Sequence, residues 1–317
     1  MVHNNIKVYF IGAGLISVKP FEILMQSKNI DLLGAATQPD KPSGRKRIPM
    51  PTPLGQFALD HDFNIDKPQS VNSPDFILYL KKLNPDIIIV ASFGQILKKE
   101  FLAIPKISCV NLHASILPKY RGASPITQVI LDKCDTTGVS FMKMDEGLDT
   151  GPVYCISTCP INNYNALQLE LTLAQIAADN IIKVLENIFN NQLKPIPQDN
   201  SIASYAGKIK KSDGLIDWNQ SAENISAKIR AYYPWPGAFF KLQTPKKQIT
   251  LTITQAIVFN ESITESYNPG TTVFADKKRW VIACGDNSFL ELCKLKPEGK
   301  KEMTGPEFVR GRPQLFA

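Results

Sequence analysis

Residues 107–126 read ISCVNLHASILPKYRGASPI. The run opens as an apolar strand, carries Asn111 and His113 at its end, and then enters a passage holding Pro118, Arg121, Gly122 and Pro125. Neither helix nor sheet continues through such residues, because proline removes a backbone donor and glycine reaches conformations that other residues avoid. In open α/β sheets, ligand crevices lie outside the carboxyl ends of the strands. A strand that ends this way predicts a site. Asn111 and His113 are two apart, so both side chains leave the strand on one face.

The flanking sequence predicts an α/β fold. Strands are expected at 6–11, 31–36, 87–91 and 107–112, with amphipathic helices between them near 20–28, 53–62, 73–83 and 124–133. Continuous β-branched runs alternating with helical patterns predict a doubly wound, mostly parallel sheet covered on both faces. Two further strand-like runs begin at Gly138 and Pro152, and a long helix is expected from about 166 to 189. These elements make a first domain, 1–189. Residues 190–207 (NNQLKPIPQDNSIASYAG) are polar, proline-bearing and aperiodic, and are expected to be a linker. After a short helix near 221–232, alternating runs at 248–258, 270–275, 279–284 and 288–295 predict a small antiparallel β-barrel spanning 208–317.

Composition fits two domains. The chain has 317 residues, above the ~250 at which single cores stop growing. No apolar run approaches the ~20 residues of a membrane span. Strand-like sequence from Ile6 leaves no room for a signal or transit peptide, and a bacterial-type cytoplasmic protein is expected. The six cysteines sit among apolar neighbours without a CxxC pair, the pattern of reduced core thiols, and no metal site is predicted. Beyond Gly207, Lys and Arg outnumber Asp and Glu by 17 to 11, against 19 to 18 before it. A solvated basic surface or a polyanion-binding module would carry that surplus. The GAG turn after the first strand has Ser17 where a dinucleotide fingerprint needs its third glycine, so it predicts a tight turn.

Of three histidines only His113 ends an apolar strand. The stretch MDEGLDTG at 144–151 offers Asp145, Glu146 and Asp149 in a glycine-bearing loop, where a carboxylate can approach and orient an imidazole. Asn, His and Asp with no Ser or Cys nucleophile do not form a hydrolase triad. They suit direct acyl transfer between two bound substrates, with amide and imidazolium holding an oxyanion and the carboxylate assisting proton movement.

NLHASILPKYRGASPI, MDEGLDTG and ASFGQIL (91–97) together resemble the formyltransferase family that uses 10-formyltetrahydrofolate. The resemblance implies that Asn111, His113 and Asp149 are catalytic. It implies that Ser115, Ile116, Leu117 and Pro118 bind the folate, and that Phe93, Gly94, Gln95, Ile96 and Leu97 help enclose its pteridine. The fold implied is a Rossmann-like catalytic domain followed by an OB-like barrel. TQPDKPSGRKRIPMPTPL (37–54) is similar to the basic insertion of the branch that formylates methionyl-tRNA, and 205–240 to that branch's entry into its barrel. Lys41, Arg45, Lys46 and Arg47 are then the expected tRNA contacts, Arg45 foremost. The expected partners are initiator methionyl-tRNA and folate, with the protein a monomer and no metal involved. Amino-sugar N-formylation, a noncatalytic RNA-binding role and nicotinamide binding are the rival readings.

Overall fold

The computed structural model describes residues 5–43, 48–245, 247–261 and 263–315. The chain divides into two compact units that are not contiguous in sequence. Unit 1 is Met1–Pro125, Thr136–Pro160 and Leu169–Gly207; unit 2 is Ile126–Asp135, Ile161–Gln168 and Lys208–Ala317.

Unit 1 begins with β1 (Ile6–Gly12), α1 (Val18–Gln26), β2 (Ile30–Ala36), the paired short strands β3 (Lys41–Ser43) and β4 (Ile48–Met50), and α2 (Pro53–Asp60). Then come α3 (Pro74–Leu83), β5 (Ile87–Ala91), α4 (Lys99–Leu102), β6 (Ser108–His113) and β7 (Arg121–Gly122). The chain continues through α5 (Pro125–Leu131), which apart from Pro125 belongs to unit 2, and then β8 (Thr136–Lys143), β9 (Val153–Pro160), α6 (Ala166–Phe189) and β10 (Tyr205–Ala206). The main sheet has the order β2-β1-β5-β6-β8-β9. Its first four strands are parallel, and β8 and β9 close it as an antiparallel hairpin. That is the mostly parallel sheet expected, with an antiparallel edge.

Burial explains the strands. Every residue of the apolar β5 is buried, and so is every residue of β6, its Ser108, Asn111 and His113 included, as befits strands of a sheet covered on both faces. Helix α6 buries Leu169, Leu173, Ala177, Ile181, Leu185 and Ile188 at helical spacing. Thr52 accepts a 3.0 Å hydrogen bond from Gly55 N, which caps α2 beside a proline in its first turn.

The stretch 190–207, aperiodic and linker-like in composition, is fixed along unit 1. Ile196 and Val153 exchange backbone hydrogen bonds of 2.8 Å. Further on, β10 pairs in parallel with β7, aligning Tyr205 with Arg121 and Ala206 with Gly122. A chain segment with backbone groups satisfied in this way behaves as part of the unit.

Unit 2 contains α7 (Ala222–Ala231), β11 (Ala238–Gln243), β12 (Gln248–Val258), β13 (Thr272–Ala275), β14 (Trp280–Ala283), β15 (Phe289–Pro297), β16 (Met303–Thr304) and α8 (Gly305–Arg310). The order β11-β12-β15-β14-β13 is antiparallel throughout, with β16 added on β15. It is a curled, barrel-like sheet in which no ladder joins β11 to β13 among the described residues. Two irregularities in β12, around Gln255, supply curvature. Trp280 is fully buried and stacks on Phe308 at 5.3 Å, with Phe240, Leu251, Leu290 and Leu295 around it.

Candidate functional site

Strand β6 delivers Asn111 and His113 to its carboxyl end, both buried. It is held between β5 (Val90 opposite Asn111) and β8 (Met142 opposite Asn111, Ser140 opposite His113). The imidazole is flanked on both sides. Nε2 lies 3.0 Å from the carbonyl of Tyr120, and Nδ1 lies 3.6 Å from Asp149 Oδ2. Tyr120 is in the left-handed region (φ 62°), which is strained for a bulky residue, and that conformation brings its carbonyl to the ring.

The loop between β8 and β9 separates its three carboxylates by role. Asp145, though exposed, folds back on its own loop, accepting from Gly147 N at 3.0 Å and Thr150 Oγ1 at 2.8 Å, and so shapes the turn. Glu146 is exposed. Asp149 is the one that reaches β6. Its Oδ1 accepts from Asn111 Nδ2 at 3.4 Å and its Oδ2 from Gly122 N at 2.8 Å. A Cβ at Gly147 would collide with the Thr150 hydroxyl, and one at Gly151 with the carbonyl of Lys143, so this tight return needs glycine at both places.

The loop beyond β6 is rigid. Ser115 Oγ donates to Lys119 O at 2.7 Å, Ser140 Oγ donates to Ser115 O at 2.6 Å, and Leu117 N donates to Ser140 Oγ at 3.1 Å. Ser115 and Leu117 are buried while Ile116 and Pro118 are half-buried, the latter after a cis peptide bond. The passage beyond β5 is organised alike. Phe93 and Leu97 anchor it in the core, and Gln38 donates to Phe93 O. Gln95 is tied to the backbone of Gln69 and Val71, and Asn72 donates to Ile96 O at 2.8 Å. Gly94, at φ 76°, and the 80%-exposed side chain of Ile96 face outward. An exposed aliphatic side chain on a loop braced from behind offers an apolar face to a flat ligand.

Several contacts here had no sequence signal of their own: Tyr120, Gly122, Ser140 and, from the strap 190–207, Gln198. Gln198 Nε2 donates to the carbonyls of Asp149 (2.9 Å) and Gly151 (2.6 Å). Its Oε1 accepts from Arg121 Nε (3.0 Å) and Nη2 (2.8 Å). Among the expected tRNA contacts, Lys41 lies in β3 and donates to Gln38 Oε1 at 2.6 Å. Arg45, Lys46 and Arg47 lie outside the described residues. Glu170, on α6, accepts from Ile16 N at 3.2 Å, and burial pushes its carboxyl above the ordinary range against the opposing effect of that bond. Burial also pushes the thiols of Cys109 and Cys284 up to about 12.

An amide and an imidazole at the carboxyl end of an interior strand, with a carboxylate facing both, can hold negative charge on a carbonyl oxygen and move a proton beside it. Comparison with known proteins agrees with that chemistry. Residues 8–185 match the family described as formyl transferase, and residues 208–313 match the formyl transferase C-terminal domain. A methionyl-tRNA formyltransferase of Dictyoglomus thermophilum is 39% identical over 285 residues, which are 89% of this chain and 90% of that one. One from Legionella pneumophila is 36% identical over 314 residues, 98% of each chain. The solved methionyl-tRNA formyltransferase of Clostridium thermocellum shares the fold, with a TM-score of 0.56 at 17% identity over 81% of this chain and 95% of its own. The chain belongs to the formyl transferase family.

Proposed function

We infer that the chain transfers the formyl group of 10-formyltetrahydrofolate to the α-amino group of initiator methionyl-tRNA, giving N-formylmethionyl-tRNA for translation initiation. One observation carries the reading: at the carboxyl end of β6, Asn111 Nδ2 and His113 Nδ1 both face the carboxylate of Asp149 from the β8–β9 loop, at 3.4 Å and 3.6 Å. When bound, the folate supplies an activated formyl group, with the 92–97 and 115–118 passages as its seat. Asn111 Nδ2 and the His113 ring hold the charge that develops on the formyl oxygen. Across the transfer the attacking amine loses a proton and the departing nitrogen gains one. The His113 Nδ1–Asp149 pair is placed to hold and pass that proton. Lys41, Arg45, Lys46 and Arg47 meet the tRNA acceptor end, and the basic surplus beyond residue 207 meets its phosphates. The protein acts as a monomer in the cytoplasm.

The test is direct. The protein is incubated with 10-formyltetrahydrofolate and charged initiator tRNA, and the released amino acid is analysed. Formylmethionine is the expected product. Its absence, with formylation of an amino sugar instead, overturns the reading.

A further inference from the structure

We propose that Gln198 is a positioning residue for this reaction, acting through the backbone of Asp149, and that Arg121 fixes the orientation in which it acts. The proposal rests on the catalytic reading of Asp149.

Arg121 is 2% exposed, and its guanidinium donates to two neutral amides, Gln198 Oε1 and Asn200 Oδ1 (2.8 Å). A guanidinium only donates. The oxygen of Gln198 therefore has to face it, and the amide nitrogen is left facing the other way. There it meets the carbonyls of Asp149 and Gly151 and packs on Met142 Sδ at 3.6 Å. The buried charge thus sets the sense of the amide. Asp149 is held at φ 54°, in the left-handed region, where a non-glycine residue stays only if its surroundings fix it.

The same three residues, 120–122, brace the whole group. Tyr120 O meets His113, the Arg121 side chain meets Gln198, and Gly122 N meets Asp149 Oδ2. They in turn are tied to the strap. Tyr120 N donates to Ser204 Oγ at 2.9 Å, Arg121 N to Ser204 O at 2.8 Å and Ala123 N to Ala206 O at 2.9 Å. Gln198 closes this ring from the side opposite Gly122, so that Asp149 is gripped by its carboxylate on one side and its carbonyl on the other.

The test is a double-mutant cycle. Gln198→Glu keeps the volume and the acceptor for Arg121, but turns a carboxylate oxygen toward two carbonyls. It is expected to lower the single-turnover formylation rate by about ten- to a hundredfold, as small misplacements of reacting groups do, while folate affinity stays within about threefold. In the Asp149→Ala background, the same change should lower the residual rate by less than about twofold, because residues acting as one unit are not additive. Arg121→Lys, which loses the fork that holds the amide, should repeat this pattern, and it decides the matter where Gln198→Glu does not fold. A wild-type rate in these variants, or equal losses in both backgrounds, overturns the proposal. A wild-type rate for Asp149→Ala alone overturns the reading of Asp149, and this proposal with it. A collapsed rate for Asp149→Ala with independent losses at Gln198 overturns only the proposal.

Discussion

The two units bury different things. Around β6 and β8, unit 1 buries Asn111, His113, Ser115, Arg121, Thr137 and Ser140. Among the described residues from 208 onward the buried side chains are apolar, centred on Trp280, Phe308 and the leucines of β12 and β15. A buried polar group is costly unless it is paired, and around the carboxyl end of β6 the Asn111, His113, Ser115, Arg121 and Ser140 side chains all have polar partners, while the Thr137 hydroxyl has none among the described residues. Unit 2 is organised around an oily interior, and whatever it does for the substrate is done from its surface. Interior chemistry and surface contact call for different experiments.

The largest expected effect is Trp280→Ala. Removing the ring that stacks on Phe308 should destabilise unit 2 by ~3–5 kcal/mol, read by denaturant unfolding, while folate binding persists. Parallel loss of folate binding would show that the units do not keep separate cores. Next is His113→Ala, which should lower kcat by ~10²–10³ with folate affinity within a few-fold and little change in unfolding midpoint. A large fall in stability with activity retained would invert the comparison.

Smaller is the joint change of Lys277→Ala and Lys278→Ala, in the exposed turn between β13 and β14. If unit 2 works by surface charge, the salt dependence of tRNA affinity should flatten by about one to two units of slope. An unchanged slope would reduce that face to solvated surface. The smallest effect sharpens the account of unit 1. Burial raises the Glu170 carboxyl above its ordinary 4.5, so between that pH and the folded value the folded chain holds a proton that the unfolded chain has released. Stability should fall as pH rises through this window. Glu170→Gln should remove that slope, and curves that run parallel in both proteins would contradict it.

Much of unit 1 was legible because its strands are buried on both faces, and such runs as IIIVA have few other readings. His113 stood out as the one histidine ending such a strand. The family resemblance singled out Asp149, but composition alone could not rank it above Asp145 or Glu146, since only the folded loop shows which carboxylate shapes the turn and which leaves it. Gln198 was hidden for a different reason. Its partner Arg121 is 77 residues away, and a polar, proline-bearing stretch carries no sign of what it lies against. In unit 2, β11 was obscured by the proline-rich run before it, and α8 is too short for periodicity, although its Thr304–Glu307 capping box is visible in the sequence.

The pairing of β7 with β10 also sets a timetable. Tyr120 and the serine that receives its backbone N–H are 84 positions apart. At a synthesis rate of roughly 5–20 residues per second, the loop that carries His113 leaves the ribosome some ~4–17 s before the segment that braces it. Sheet, helices and histidine can be in place while the nascent chain is still incapable of turnover. The strap that braces residues 120–122 and Asp149 is made last in unit 1, so a chain cut short ahead of residue 198 would lack that bracing.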